Sequence, residues 1–216
     1  MQIFLDTAKV DEIRKWKSVI AGVTTNPSIL LKDGGNIYDL CNEVGNLPIS
    51  LEACGDFKTD AIKYSQEIPG CNIKIPLLRP NGGHNLDLIA ELSDQNIDIN
   101  CTALFSLSQV ILATKAGARY VSLFYGRIAD EGGYPGNMIS DCMDFLMRED
   151  ADTELIIGSI RGVGDVLDST NHDADIITIP PAILQKMVSH AYSRETVQMF
   201  ERDNEELQKL SKVQLN

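Results

Sequence analysis

Histidine, paired cysteine, basic charge and long apolar runs are all scarce in this chain. No apolar stretch approaches the ~18 residues that a membrane-spanning helix requires. The start, Met1-Gln2-Ile3-Phe4-Leu5-Asp6, is too short and too soon acidic for a secretory leader, so a soluble, cytoplasmic protein is expected. The three histidines, His84, His172 and His190, form no H-x-x-H or H-x-H pair, so no metal site is expected. The five cysteines, Cys41, Cys54, Cys71, Cys101 and Cys142, are odd in number and contain no C-x-x-C. That fits neither a zinc site nor a disulfide framework, and reduced thiols acting as small hydrophobes are expected. With 19 Lys and Arg against 31 Asp and Glu, the net charge is −12, which argues against binding nucleic acid or an anionic membrane. A protein this acidic that handles anionic substrates has to concentrate its few arginines at the site.

What is present is an ordinary globular balance, 44% hydrophobic and 23% charged, over 216 residues, enough to build a core without disulfides. Short apolar runs alternate with amphipathic ones throughout. Strands are expected at 2–6, 22–25, 48–53, 72–76, 97–103, 120–124, 154–159 and 175–179. Helices are expected at 10–17, 36–45, 58–67, 85–95, 106–116, 137–148, 164–169 and 181–190. Asp and Ser before several helices fit N-caps, and Gly117 fits a C-cap. The strands are of the buried type expected when helices cover a parallel sheet. Eight β-α units in 216 residues leave about 27 residues each, which favours a (β/α)8 TIM barrel over an open doubly wound sheet. No linker is evident, so a single domain over 1–216 is expected. The surplus segment 193–216 is expected as a C-terminal helical extension, packing on its own barrel or reaching a neighbouring subunit.

In such a barrel, chemistry gathers at the C-terminal ends of the strands. Those ends here carry Asp6, Thr25-Asn26, Glu52, Lys74, Asn100 with Thr102, Ser122 with Phe124 and Arg127 just beyond, and Ser159 with Arg161 two residues on. The eighth strand, ending Ile179-Pro180-Pro181, reads as apolar. Lys74 lies inside the apolar run Cys71-Asn72-Ile73-Lys74-Ile75-Pro76-Leu77. An ammonium there is costly to desolvate, so it needs a partner or a lowered pKa. A free amine near neutral pH can attack a carbonyl to form a Schiff base. The alternative is a lysine pointing outward at a strand end and reaching to water. Asp6 can likewise be a helix cap, Asn26 a turn former before Pro27, and Thr102 an ordinary β-branched strand residue. Arg127 opens a charged, glycine-rich stretch expected as a loop.

Taken in order, Phe4-Leu5-Asp6-Thr7-Ala8, Gly22-Val23-Thr24-Thr25-Asn26-Pro27-Ser28, Ser50-Leu51-Glu52, Ile73-Lys74-Ile75-Pro76 and Asn100-Cys101-Thr102 resemble a known family. Val121-Ser122-Leu123-Phe124-Tyr125-Gly126-Arg127 and Gly158-Ser159-Ile160-Arg161 continue the match. The chain resembles short-type transaldolases of the superfamily that also holds fructose-6-phosphate aldolase. The resemblance implies a class I aldolase-type barrel that needs no cofactor or metal, acting on sugar phosphates. It implies a homo-oligomer, a pentamer or decamer, built with the C-terminal helix.

By the same resemblance, Lys74 would be the Schiff-base lysine and Asp6 the base taking the C4 hydroxyl proton. Glu52 and Thr102 would hold a proton-shuttling water. Asn26 and Asn100 would bind the dihydroxyacetone hydroxyls, with Thr25 and Ser122 nearby, and Arg127, Ser159 and Arg161 would clamp the phosphate. The aldolase branch carries Gln where this chain has Glu52 and Tyr where it has Phe124. Those positions and Arg161 point to transfer of the three-carbon unit rather than its release. Leu123, Gly162-Val163-Gly164 and the loop 77–83 depart from the family pattern, which bears on substrate preference. The other readings are an aldolase releasing dihydroxyacetone and a non-catalytic sugar-phosphate-binding barrel.

Overall fold

The computed structural model describes residues 1–213, in which eight parallel strands close into a barrel in chain order. They are β1 (Gln2–Asp6), β2 (Gly22–Thr24), β3 (Ile49–Glu52), β4 (Cys71–Pro76), β5 (Ile99–Leu104), β6 (Tyr120–Phe124), β7 (Glu154–Gly158) and β8 (Ile176–Ile179). Pairing of β8 with β1, Phe4 beside Thr178, closes the ring. The described helices are α1 (Val10–Trp16), α2 (Pro27–Asp33), α3 (Ile37–Val44), α4 (Phe57–Glu67), α5 (Leu86–Ser93), α6 (Leu107–Lys115), α7 (Tyr125–Asp130), α8 (Pro135–Arg148), α9 (Val163–Asn171), α10 (Pro181–Val188) and α11 (Ala191–Val213). The fold is a (β/α)8 TIM barrel followed by one further helix. The last three positions of the expected extension, 214–216, lie outside the described residues.

Local sequence explains most boundaries. Asp56 caps α4 through the Thr59 amide and Ser106 caps α6 through that of Gln109. Gly117 ends α6 at φ +87°, a conformation that costs glycine little. Two helices run against the expectation. Asn26-Pro27 is not a turn but the start of α2, with Asn26 Oδ1 accepting from the Ile29 amide at 2.9 Å and Pro27 at the first helical position. Of the stretch 127–133, only 131–133 is loop; Arg127 through Asp130 belong to α7, because Ile128 is buried as α7 packs on β7 and α8. Burial of one apolar side chain outweighs the polar composition around it.

The barrel interior is layered. Phe4, Tyr120, Ile156 and Ile176 form an apolar cluster, and the Phe4 ring lies over Gly22, where a Cβ would come within 2.6 Å. Side chains alternate along a strand with period two. Two residues further on, the same inward rows therefore present Asp6, Thr24, Ser122 and Thr178. An apolar floor thus sets the phase of a polar upper half.

The chain divides into two compact units, Met1–Pro181 with all eight strands, and a second from Ala182 onward. In the second unit Ile183 and Leu184 are buried, whereas Val197, Phe200 and Leu210 of α11 are exposed. Among the described residues, no helix is long and apolar enough to cross a membrane. All five cysteines are free, and burial pushes the Cys71, Cys101 and Cys142 thiols up to about 12, so these three are unreactive packing groups.

Candidate active site

Lys74 decides the reading of the upper barrel. Its side chain is only 8% exposed, so it does not reach outward to water. Its Nζ lies 3.3 Å from Glu52 Oε2 and donates to the Thr25 backbone carbonyl at 2.9 Å. The partner demanded by an ammonium inside a strand is supplied by register: parallel pairing sets Glu52 of β3 beside Lys74 of β4, and Lys74 beside Asn100 of β5. Thr25 contributes through its backbone, just beyond β2.

The amine opens into a cavity of about 170 Å³ at the C-terminal end of the barrel. Asp6, Thr24 and Asn26 line one side, Thr102, Ser122 and Phe124 the other. Arg127, Gly158, Ser159 and Thr178 complete it. Asp6 does not cap a helix: its Oδ1 accepts from Thr24 Oγ1 at 2.8 Å. Burial raises the Asp6 carboxyl above its ordinary value; nearby Lys74 and the Thr24 hydrogen bond oppose the rise, and Asp33 adds to it. Asn26 both caps α2 and faces the cavity. With Oδ1 committed to the cap, its amide nitrogen is what it can offer a ligand.

Asn100 sits beneath the cavity rather than on its wall. Its Nδ2 donates to Ser50 Oγ at 3.2 Å and its Oδ1 accepts from Ser122 at 2.7 Å. The Thr102 and Thr25 hydroxyls are buried without a hydrogen-bond partner. Such groups are rare in folded proteins, and Thr102, which lines the cavity, marks a place there for a polar ligand or water. Immediately after Thr102 and Gly158 the backbone turns left-handed, at Ala103 (φ +59°) and Ser159 (φ +62°). The β5–β6 register slips between Cys101 and Leu104. Strain of about 1–3 kcal/mol at such positions is held by surrounding structure and clusters at functional sites.

At the rim, Arg127 lies in the short helix α7 and Phe124 meets Phe105 edge to face at 5.7 Å. Arg161 is not brought into the cavity. Its guanidinium forms two hydrogen bonds to Asp130, at 2.5 and 2.7 Å, on the exposed surface. It also lies over Gly126, where a Cβ would come within 2.7 Å of its Nε and 2.5 Å of the Ser159 carbonyl, so a glycine is needed beside Arg127.

Thr24, Ser50, Asp130 and Thr178 carried no expected role, although the first three touch Asp6, Asn100 and Arg161 and the fourth reaches Asp6 through Thr24. The period-two phase from Phe4 and Ile176 is the signal that would have found Thr178. The unusual loop after β4 forms a hairpin, with Leu78 bridged to His84, and borders a separate groove of about 900 Å³. The cations there are engaged, Arg79 with Asn85 and Lys58 with Glu91.

The sequence profile of the family described as Transaldolase/Fructose-6-phosphate aldolase matches residues 3–216. A Thermodesulfovibrio yellowstonii protein named "Probable transaldolase" is 37% identical over 97% of this chain and all of its own length. A protein of the same name from Nitrosopumilus maritimus is 34% identical over 96% of each chain. Among solved structures, a mandelate oxidase variant superposes with a TM-score of 0.62 at 13% identity, covering 83% of this chain and 64% of its own. That likeness concerns the barrel alone.

Proposed function

The chain belongs to the transaldolase/fructose-6-phosphate aldolase family, and from that membership we propose that it transfers a dihydroxyacetone unit between sugar phosphates through a Schiff base on Lys74. It is a transaldolase-type enzyme; the donors proposed are sedoheptulose 7-phosphate and fructose 6-phosphate, the acceptors glyceraldehyde 3-phosphate and erythrose 4-phosphate. The observation that carries the reading is the buried Lys74 amine held between Glu52 and the Thr25 carbonyl at the cavity floor.

The chemistry follows from that placement. Glu52 is near enough to accept the proton the ammonium loses before its nitrogen attacks the ketose carbonyl. A water held by Glu52 and the otherwise unpartnered Thr102 hydroxyl moves protons as the carbinolamine loses its hydroxyl. The protonated imine is the electron sink. Asp6 takes the proton of the C4 hydroxyl, the C3–C4 bond breaks into the iminium, and an aldose leaves. The enamine, its hydroxyls held by Asn26 and Ser122 with Asn100 beneath, attacks the carbonyl of the second aldose. Arg127 and Ser159 bind the phosphate at the rim, where a guanidinium fits it through paired hydrogen bonds. Arg161 joins them on exchanging Asp130 for the phosphate.

Borohydride reduction with fructose 6-phosphate followed by peptide mass spectrometry tests the assignment. An adduct on Lys74 is expected; one on another residue, or none, sinks it. Phe124 governs the fate of the enamine, because its ring has no proton to give. Phe124→Tyr is expected to raise release of free dihydroxyacetone about tenfold, measured without an acceptor aldose. Rapid release by the unaltered protein would contradict that role and favour the aldolase reading.

The quaternary proposal is a homo-oligomer in which α11 meets a second copy of the chain. It rests on the exposed Val197, Phe200 and Leu210 of that helix. Truncation before Ser193 is expected to lower the mass measured by light scattering to that of a smaller species. An unchanged mass would count against it.

A further inference from the structure

β8 looks inert in the sequence, yet it places one polar group inside the cavity. Thr178 is buried, lines the cavity, and its Oγ1 is hydrogen-bonded to Thr24 Oγ1. Thr24 Oγ1 in turn contacts Asp6 Oδ1 at 2.8 Å. The three residues come from β8, β2 and β1, so the contact spans the strand that carries the carboxylate. We propose that Thr178 is a positioning residue for the reaction, acting on Asp6 through Thr24 as the outer member of a two-hydroxyl relay.

The direction of the relay is fixed by counting hydrogens. An ionised carboxylate only accepts, so the single Thr24 hydrogen goes to Asp6. Thr24 can then only accept from Thr178, which spends its own hydrogen and shows the cavity nothing but lone pairs. When Asp6 has taken a proton, it can donate to Thr24, and both hydroxyls turn: Thr24 donates to Thr178, and Thr178 presents a hydrogen to the cavity. Before proton transfer Thr178 is an acceptor facing the substrate, and afterwards a donor. Each hydroxyl polarises the next, so Thr178 strengthens the bond that favours the ionised base.

The remaining groups around Asp6 do not duplicate this. Lys74 of β4 favours the carboxylate but is itself engaged by Glu52 of β3 and the Thr25 carbonyl. Asp33 of α2 opposes it and is tied to Thr7, Ala8 and Lys9. Arg127 of α7 stands at the cavity rim. The inference rests on the reading of Asp6 as the base, and its test separates the two.

The test is the pH profile of kcat/KM for the full-length enzyme, whose acid limb reports the base in the free protein. Thr178→Val keeps the shape of a strand residue and is expected to move that limb up by about half a unit, the scale of one weakened hydrogen bond to a carboxylate. Thr24→Val removes the direct donor and is expected to move it further. The double variant should shift no more than Thr24→Val alone, since a relay already cut cannot be cut again. Thr178→Ser should restore the wild-type limb. An unmoved limb in Thr178→Val, or additive shifts in the double variant, overturns the relay. Full turnover in Asp6→Asn would instead overturn the assignment of Asp6 itself, whatever Thr178 does.

Discussion

Lys74→Met is expected to lower turnover by a factor on the order of 10⁴ or more, with no borohydride-trapped adduct. In the proposed mechanism every covalent step passes through the nitrogen, and neither the cavity nor its arginine can replace it. The protein should nevertheless fold. Methionine fills nearly the same volume in β4, and loss of a costly buried ammonium offsets loss of its ion pair. Glu52, left without its partner, is 25% exposed and can be solvated, so a stability change of about 1 kcal/mol in either direction is expected. Lys74→Arg separates charge from nucleophilicity: it keeps a cation beside Glu52 but has no amine able to deprotonate. It should be equally inactive. Appreciable turnover in either variant would overturn the Schiff-base proposal.

Asp6→Asn is expected to lower kcat/KM by about 10²–10⁴, the usual worth of a positioned proton acceptor. The Lys74 adduct should still be trapped in this variant, because in the proposed mechanism the imine forms before Asp6 is called on. Stability should move the other way. The folded protein holds the Asp6 carboxyl above its ordinary value, chiefly through burial, so the protonated form favours folding. That contribution is complete below the unfolded value and is lost as pH rises through the folded one. An asparagine, which cannot ionise, escapes the loss. The thermal midpoint of Asp6→Asn should therefore match wild type in acid and exceed it increasingly from about pH 4 upward, levelling off once Asp6 is fully ionised. Equal midpoints at neutral pH would show that Lys74 and Thr24 offset the burial cost completely. The combination of lost activity and gained stability is expected where a charge is buried for function.

The relay on β8 shows why part of the site was hidden. Ile176-Ile177-Thr178-Ile179 is a strong strand sequence, and threonine is as common a strand former as its neighbours. Nothing local marks its hydroxyl as functional. Its significance comes from β8 closing onto β1, which brings it to Thr24 from 154 positions away. Arg161 shows the converse, a partner that the sequence did not reveal. A guanidinium beside Ser159 suggests a phosphate ligand, and in the fold Asp130, 31 positions earlier, is its partner. Arg127 was read as the opening of a loop and lies instead in α7, because the burial of Ile128 that makes α7 a helix is a tertiary event. Asn26 was legible twice over: the Asn-Pro pair that suggested a turn is also a cap followed by a first-turn proline, and here it serves as the cap while facing the cavity.

By itself, the sequence determined the alternation of eight buried strands with covering helices, and with it the barrel, because the period and spacing of apolar residues are local properties. It also determined that carboxylates, a lysine, amides and arginines would stand at the strand ends. Tertiary structure alone decided which of them meet. A one-residue change in register would turn Lys74 away from Glu52, and strand phase is set by how Phe4, Tyr120, Ile156 and Ile176 pack on the barrel floor. The lysine owes its surroundings to that packing and to ring closure, neither of which any single segment of chain encodes.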